Sequence, residues 1–485
     1  MPVKKKQETE LDITKIAFGG RGIAKIDGFT VFVDGAVPGD RVAARIVKKK
    51  KNYAEARTLS VISPSADRVE PQCGYAGWCG GCKWQFLAYA RQLEYKRSHV
   101  QEALEHIGGL GGIRVHPVVP SERIFGYRNK MEFSFSDRRW LLPEELGDPD
   151  IPRDFALGLH VPGTFDKILD IDACLLQPEK GNRILNDSRD FIKSSGLPPY
   201  GLRSHEGFWR FLMLRHSVAE DRWLVNVVTS SRDDRTLKSL ADYLTAAHKD
   251  IAGVVNNVTA SKAAVAAGEY EVPVAGRMVL AERLGGFEFE VSANSFFQTN
   301  TRQAEKLYDT VRRYAGLEGG ETVVDLYTGT GTIPVWLAKD AGEVIGLELV
   351  EAAVADAEKN CRRNGIENCR FISGDIRKSI SGIEKRPEVM VIDPPRAGMH
   401  KDVVKAVTGL APERIVYVSC NPSTLARDIS MLAEQYRVEE VQPVDMFPHT
   451  FHIEAVARLV KKTEDGRQRT KDLGHRTEDI RGGSV

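Results

Sequence analysis

The stretch Thr322-Val323-Val324-Asp325-Leu326-Tyr327-Thr328-Gly329-Thr330-Gly331-Thr332 decides how the C-terminal part of this chain folds. A β-branched apolar run ends at Leu326, a Gly-x-Gly turn follows, and an amphipathic segment over 332–340 reads as a helix. Glycines let the backbone turn sharply and approach a ligand closely at a helix N-terminus. Glu348 stands 23 residues after Asp325, at the end of the next apolar run, where a carboxylate can accept hydrogen bonds from ribose hydroxyls. Gly374-Asp375 follow the third run. A tight turn without ligand and a dinucleotide site are competing readings, and the second wants a G-x-G-x-x-G spacing that is absent.

Outward from this turn the texture repeats. Apolar runs at 322–326, 344–349, 370–374, 389–392 and 415–419 alternate with helical patterns at 332–340, 350–365, 401–410 and 423–435. Alternation of this kind predicts a parallel sheet with helices on both faces. Further strands near 437–445 and 452–460 close a domain over 286–461. Residues 8–66 differ: five short β-like runs separated by Gly-containing turns predict a small β-barrel of OB type. Residues 1–66 hold 13 Lys and Arg against 7 Asp and Glu, although the whole chain carries a formal charge of only +1. Such a basic module suits a nucleic-acid grip or a solvated surface, and Lys48–Lys51 beside Tyr53 could hold phosphates and stack a base. Residues 67–285 mix helices and strands, among them a helix over 87–107 and a hairpin built from 128–137 and 155–160. The polar tail, 462–485, lacks the apolar residues a core needs and reads as disordered.

The charged N-terminus has no apolar signal region, and no run is long enough to span a membrane, so a cytoplasmic protein is expected. Seven cysteines in such a chain argue for metal or catalytic roles rather than a disulfide framework. Cys73, Cys79 and Cys82 are grouped, with Cys174 about 90 residues on; such soft ligands suit zinc or an iron–sulfur cluster. Cys361 and Cys369 find no partners by spacing.

Two motifs end the fourth and fifth runs: Asp393-Pro394-Pro395-Arg396-Ala397-Gly398 and Ser419-Cys420-Asn421-Pro422-Ser423-Thr424. In an open α/β sheet the carboxyl ends of the strands line the ligand crevice, so both motifs are expected to face the glycine turn. Phe451-His452-Ile453-Glu454-Ala455 opens the last strand and offers a carboxylate. A nucleophilic thiol with a base in reach is the pair needed to functionalise an unreactive pyrimidine carbon.

The glycine turn with its two acidic followers resembles the S-adenosylmethionine site of Rossmann-like methyltransferases. Asp-Pro-Pro-Arg-x-Gly, Val-Tyr-Val-Ser-Cys-Asn-Pro-x-Thr and a late His-x-Glu closely resemble the bacterial RNA uracil-C5 methyltransferases that act on 23S rRNA and tRNA. The resemblance implies that Cys420 attacks C6 of the uracil and that Glu454 removes the C5 proton. It implies cofactor contacts at Gln298, Tyr327, Gly329, Gly331, Thr332, Glu348, Asp375 and Asp393, although some members carry asparagine where Thr332 and Asp375 stand. It implies a [4Fe–4S] cluster on Cys73, Cys79, Cys82 and Cys174, and a helix near 93–124 packed on the catalytic domain. The expected fold is therefore multidomain α/β. It has a TRAM or OB-type barrel (8–66), a central iron–sulfur and RNA-binding domain (67–285) with candidate contacts Lys83, Trp84, Arg128 and Lys130, and a Rossmann-like methyltransferase with a seven-stranded mixed sheet whose last strands are antiparallel. Barrel and cysteines together resemble the ribosomal branch, making 23S rRNA the expected partner and the tRNA T-loop the alternative, with no DNA and no membrane. An N6-adenine methyltransferase wants an aromatic where Arg396 stands and has no use for Cys420, and the intact Cys420–Glu454 pair speaks against an assembly protein with a vestigial pocket.

Overall fold

A computed structural model describes residues 3–463; the tail expected to be disordered lies, from residue 464 on, outside the described residues. The chain forms two compact units. One comprises the chain up to Lys96, Pro120–Glu305 and Asp445–His452; the other comprises Arg97–Val119, Lys306–Val444 and the chain from Ile453.

In the first unit, a six-stranded sheet is ordered Glu8–Asp12, Arg41–Lys49, Tyr53–Ser63, Phe29–Asp34, Gly22–Ile26 and Lys15–Ile16. Alternate residues of these strands, among them Val31, Val33, Val42, Ala44, Ile46, Ala54 and Ala56, fill one core. The sequence pattern predicts five strands, and the sixth is Glu8–Asp12. That edge strand buries only Leu11 and is matched to its neighbour by charge, Glu8 to Arg45 and Glu10 to Arg41. A strand held that way shows no apolar alternation to read.

This unit also holds an eight-stranded sheet, with Lys130–Ser136 and Ala156–His160 paired antiparallel near its middle, and a two-stranded one, Val279–Leu284 with Phe287–Ser292. The segment between the two larger sheets carries the cysteine triple and has little regular structure. It ends where helix α1 (Tyr89–His106) begins. Trp84, a candidate RNA contact by sequence, is instead wholly buried among Ile16, Val37 and Leu87.

The second unit holds the sheet that contains the quoted stretch. Its strands are β1 (Arg114–Val115), β2 (Thr322–Leu326), β3 (Glu343–Glu348), β4 (Cys369–Ser373), β5 (Val389–Ile392), β6 (Arg414–Ser419), β7 (Tyr436–Val444) and β8 (Glu454–Lys461). Their order is β4-β3-β2-β5-β6-β8-β7-β1. Eight strands replace the expected seven, because the two-residue β1 adds to β7 in parallel. Only β8 runs against the others, rather than the last strands together: it pairs antiparallel with both β6 and β7. Strands β2, β5 and β6 are buried along nearly their whole length, as a sheet covered on both faces must be.

Candidate active site at the strand ends

Five parallel strands of this sheet, the edge strand β4 among them, end at or just before a residue that is only half-buried. Tyr327 follows β2, Glu348 ends β3, Asp375 lies just past β4, Asp393 follows β5 and Cys420 follows β6. Glu454, at the start of the antiparallel β8, comes to the same edge. The register explains why: Ser419 of β6 pairs with Ala455 of β8, so the next residue of one strand and the preceding residue of the other, Cys420 and Glu454, flank the same rung.

The cofactor turn is held by its backbone. The amides of Tyr327 and Thr328 both donate to the Leu347 carbonyl, at 3.0 and 3.1 Å. Tyr327 takes a left-handed φ of 66°, unusual for a side chain of its size. Burial pushes its phenol up to about 12, with help from Asp428 and Asp375. Glu348 accepts from the Gly329 amide at 3.0 Å and from the Val350 amide at 3.0 Å. Gly331 has φ 79°, and a Cβ there would stand 2.8 Å from the Cβ of Ala357, so only glycine lets helix α2 (Glu351–Arg363) pack on the turn. Asn360 of that helix donates to the Thr330 carbonyl at 2.9 Å. Thr332 shares a hydrogen bond with the Tyr308 hydroxyl at 3.2 Å. Asp375 caps a short helix through the Arg377 amide, and the Arg377 side chain holds its carboxyl at about 2. A half-buried carboxylate and an open glycine turn at the head of a parallel sheet are the features a nucleoside cofactor requires.

Around Cys420 the chemistry is electrostatic. Burial first, then the charge of Glu454, pushes its thiol up to about 11; the Arg396 guanidinium opposes both. Glu454 is buried, and loss of solvent with the nearby Asp393 drives its carboxyl well above the usual range, Arg396 again pulling the other way. Burial alone raises Asp393 to about 7. The arrangement is thus a thiol and a reluctant carboxyl under the pull of one guanidinium, with a second reluctant carboxyl, Asp393, acting on both. Helix α3 (Pro422–Leu432) starts directly behind the thiol, with Asn421 as its cap accepting from the Ser423 amide at 3.0 Å. Asn421 and Thr424 both donate to the Arg396 carbonyl, at 3.2 and 3.3 Å, so the element that carries the thiol also fixes the loop that carries the guanidinium. Sequence reasoning gave no role to Arg396, nor to Asp428, which is wholly buried and accepts from the Tyr417 hydroxyl and, at 2.7 Å, from the Met399 amide. Arg396 stood in a quoted motif; Asp428 carried no signal outside the folded chain.

Gln298 belongs to the other compact unit, in the loop after the strand Phe287–Ser292. Its carbonyl accepts from the side chain of Asn129 at 2.9 Å. The same unit holds the cysteines. Cys73, Cys79, Cys82 and Cys174 are all free and line one cavity of about 330 Å³ together with Gln85, Arg128 and Lys130. The Gly81 amide points at the Cys79 sulfur at 3.3 Å, and Gln85 accepts from the Cys73 amide at 3.3 Å. Burial pushes Cys79 up to about 11 and Cys82 up to about 12, and each thiol raises its neighbours. Among the described residues no three His, Cys, Asp or Glu side chains converge closely enough to hold a metal ion. The expected metal centre is therefore not evident as a single-ion site.

A family model described as tRNA (Uracil-5-)-methyltransferase matches residues 237–462, and a TRAM-domain model matches residues 2–59. An uncharacterised RNA methyltransferase of Chlorobaculum tepidum is 47% identical over 459 residues, covering 92% of this chain and 95% of the relative. One from Porphyromonas gingivalis is 42% identical over 471 residues, covering 94% and 100%. Among solved structures, Pyrococcus abyssi tRNA (uracil-54, C5)-methyltransferase in complex with S-adenosyl-L-homocysteine is similar at a TM-score of 0.74 and 31% identity, over 93% of this chain and 100% of that one. These matches, on a chain with this fold, show an S-adenosylmethionine-dependent methyltransferase of RNA. More narrowly, the chain belongs to the RNA uracil-5-methyltransferase family and carries an N-terminal TRAM domain. Among the described residues no helix is long and apolar enough to cross a membrane.

Proposed function

We propose that this chain methylates carbon 5 of a uracil in 23S rRNA through a covalent adduct on Cys420, with Glu454 as the base. The observation that carries the reading is the β6–β8 register, which flanks one rung with the thiol and the carboxyl while Arg396 acts on both. Arg396 favours the thiolate, whose proton is given up to solvent. The sulfur bonds to C6, and the ring's electron pair moves toward C5 and the C4 oxygen. S-adenosylmethionine, when bound, supplies an electrophilic methyl group at C5, and Gln298, Tyr327, Gly329, Gly331, Thr332, Glu348, Asp375 and Asp393 are the residues that would hold it. Glu454 then takes the C5 proton, the C6–S bond breaks, and the thiolate leaves with the C5–C6 double bond restored. A carboxylate made more basic by burial is better matched to a weak carbon acid than an exposed one.

The test is RNA containing 5-fluorouracil in place of uracil. Fluorine cannot leave as a proton, so a complex resistant to denaturation should accumulate with the native protein and be absent with Cys420→Ser. A complex that survives in Cys420→Ser sinks the assignment.

The same proposal gives Cys73, Cys79, Cys82 and Cys174 to a [4Fe–4S] cluster. Four free thiols lining one cavity are the kind of donors such a cluster uses. Binding would require each thiol to lose its proton against the cost of burial. Protein isolated without oxygen should carry iron and sulfide by chemical analysis, and Cys79→Ser should lose both; zinc in their place refutes the cluster. Such a protein is expected in the cytoplasm. The tRNA reading is favoured by the Pyrococcus neighbour, whose named substrate is tRNA. Methylating total RNA with labelled cofactor separates the two, by which RNA fraction takes the label.

A further inference from the structure

The segment Asp445–His452 is separated from Glu454 by a single residue and is itself part of the first compact unit. Its polar groups are taken up there almost one by one. Lys96 and Asp445 form an ion pair at 2.6 Å with neither side chain exposed to solvent. Lys96 also donates to the Phe447 carbonyl at 3.0 Å, and the Tyr89 hydroxyl donates to the second Asp445 oxygen at 2.8 Å. Gln92 accepts from the His449 amide at 2.9 Å and donates to the carbonyls of Trp84 and Leu87 at 3.0 and 2.8 Å. The His449 carbonyl in turn accepts from the amides of Lys83 and Trp84, both at 3.0 Å, with His449 held at a φ of 65°. Asn300 and Tyr127 take the carbonyls of Met446 and Pro448, at 3.2 Å each.

A buried ion pair is poor value for stability, since well-packed apolar residues of the same volume often do as well. What it does supply is a unique arrangement. Tyr89, Gln92 and Lys96 fall at spacings of three and four residues on α1, along one face of that helix, and all three hold the same short segment. The chain then runs from the clamp directly into β8, whose first residue is the proposed base.

We infer that Lys96, with Tyr89 and Gln92, is a positioning residue for proton abstraction: through Asp445 and the backbone of 447–449 it sets where the chain enters β8 and hence where the Glu454 carboxylate stands. The inference rests on the reading of Glu454 as the base. It predicts a defect in one step only. Attack by Cys420 and methyl transfer precede proton removal, so a loosened clamp should leave them running and stall the methylated adduct.

The experiment uses the full-length protein, cofactor labelled in its methyl group, and uracil-containing RNA, with Glu454→Gln as the benchmark. Label is followed in the denaturation-resistant protein–RNA adduct and in free RNA. Lys96→Met should form labelled adduct at close to the native rate and release it slower on the order of 100-fold, the loss expected from a misplacement of about 1 Å. Tyr89→Phe, which removes the hydrogen bond to Asp445 and the one accepted from the Ser121 amide but leaves the Lys96–Asp445 pair in place, should show the same split more mildly, and it decides the matter should Lys96→Met not fold. If these variants release labelled RNA with the native adduct fraction while Glu454→Gln retains it, the clamp has no positioning role and the base assignment stands. If Glu454→Gln itself releases label normally, the base assignment fails and this inference with it.

Discussion

At Cys420 the burden of burial and the pull of a single guanidinium oppose each other, and Glu454 stands on the side of burial. The carboxylate that must later accept a proton makes the thiol harder to ionise beforehand. This gives a signed expectation. Glu454 raises the thiol, so Glu454→Gln should lower it, and the rise of adduct formation with pH, measured with 5-fluorouracil RNA, should move to lower pH than in the native protein. A rise that stays in place or moves upward contradicts the electrostatic account. Arg396→Gln should move the same limb to higher pH, because Arg396 lowers the thiol. The motifs made Cys420, Asp393 and Glu454 readable as candidates because a reactive residue type sits at a strand end in each. Arg396 was readable as a letter of a motif but not as the cation between two acids. That role depends on which strands are neighbours, and β6 lies beside β8 rather than beside its successor in sequence.

Among the elements, the glycine turn separates two reasons for the same residue type. Gly331 is filled from behind by Ala357 of α2, whereas an added Cβ at Gly329 would meet nothing within 4 Å. Both lie at positive φ, 54° for Gly329 and 79° for Gly331, so both alanine variants bear backbone strain of about 1–2 kcal/mol. Gly331→Ala should therefore unfold at the lower temperature of the two in the absence of ligand. Gly329→Ala should keep more of its stability and instead lose affinity for S-adenosylhomocysteine by calorimetry, since its methyl enters the open side of the turn. The reverse ranking in melting temperature would show that the packing on α2 has been misjudged. The strands flanking this turn were legible because burial on both faces writes a continuous apolar run. Glu8–Asp12 and Arg114–Val115 were not: one is an edge strand matched by charge, and the other is two residues long and owes its strand character to β7.

For the molecule as a whole, the near-zero net charge conceals a basic N-terminal module, and the structure sorts its lysines by what they already hold. Lys48 pairs with Glu55 at 3.2 Å, and Lys49 donates to the Val3 carbonyl at 2.7 Å, so these two serve the sheet. Lys50 and Lys51 lie exposed at the turn between the strands Arg41–Lys49 and Tyr53–Ser63, where the Lys50 amide closes the turn on the Tyr53 carbonyl at 2.8 Å. Tyr53 beside them is half-buried and edge-on to Phe32, 5.5 Å between ring centres, which fits a packing role better than base stacking. The grip expected from the sequence thus narrows to two ammonium groups reaching for phosphates. Each phosphate neutralised releases counterions and adds about 0.7–0.9 to the slope of log affinity against log salt. The double variant Lys50→Ala/Lys51→Ala should bind RNA more weakly at low salt, and its slope should be shallower by roughly 1–2 if both lysines contact phosphate. Turnover at saturating RNA should not change, because both lysines would act on RNA binding alone and neither is among the residues assigned to the cofactor or to the reaction. An unchanged slope would mean that the basic strip of the N-terminal module is a solvated face, and that RNA is gripped elsewhere.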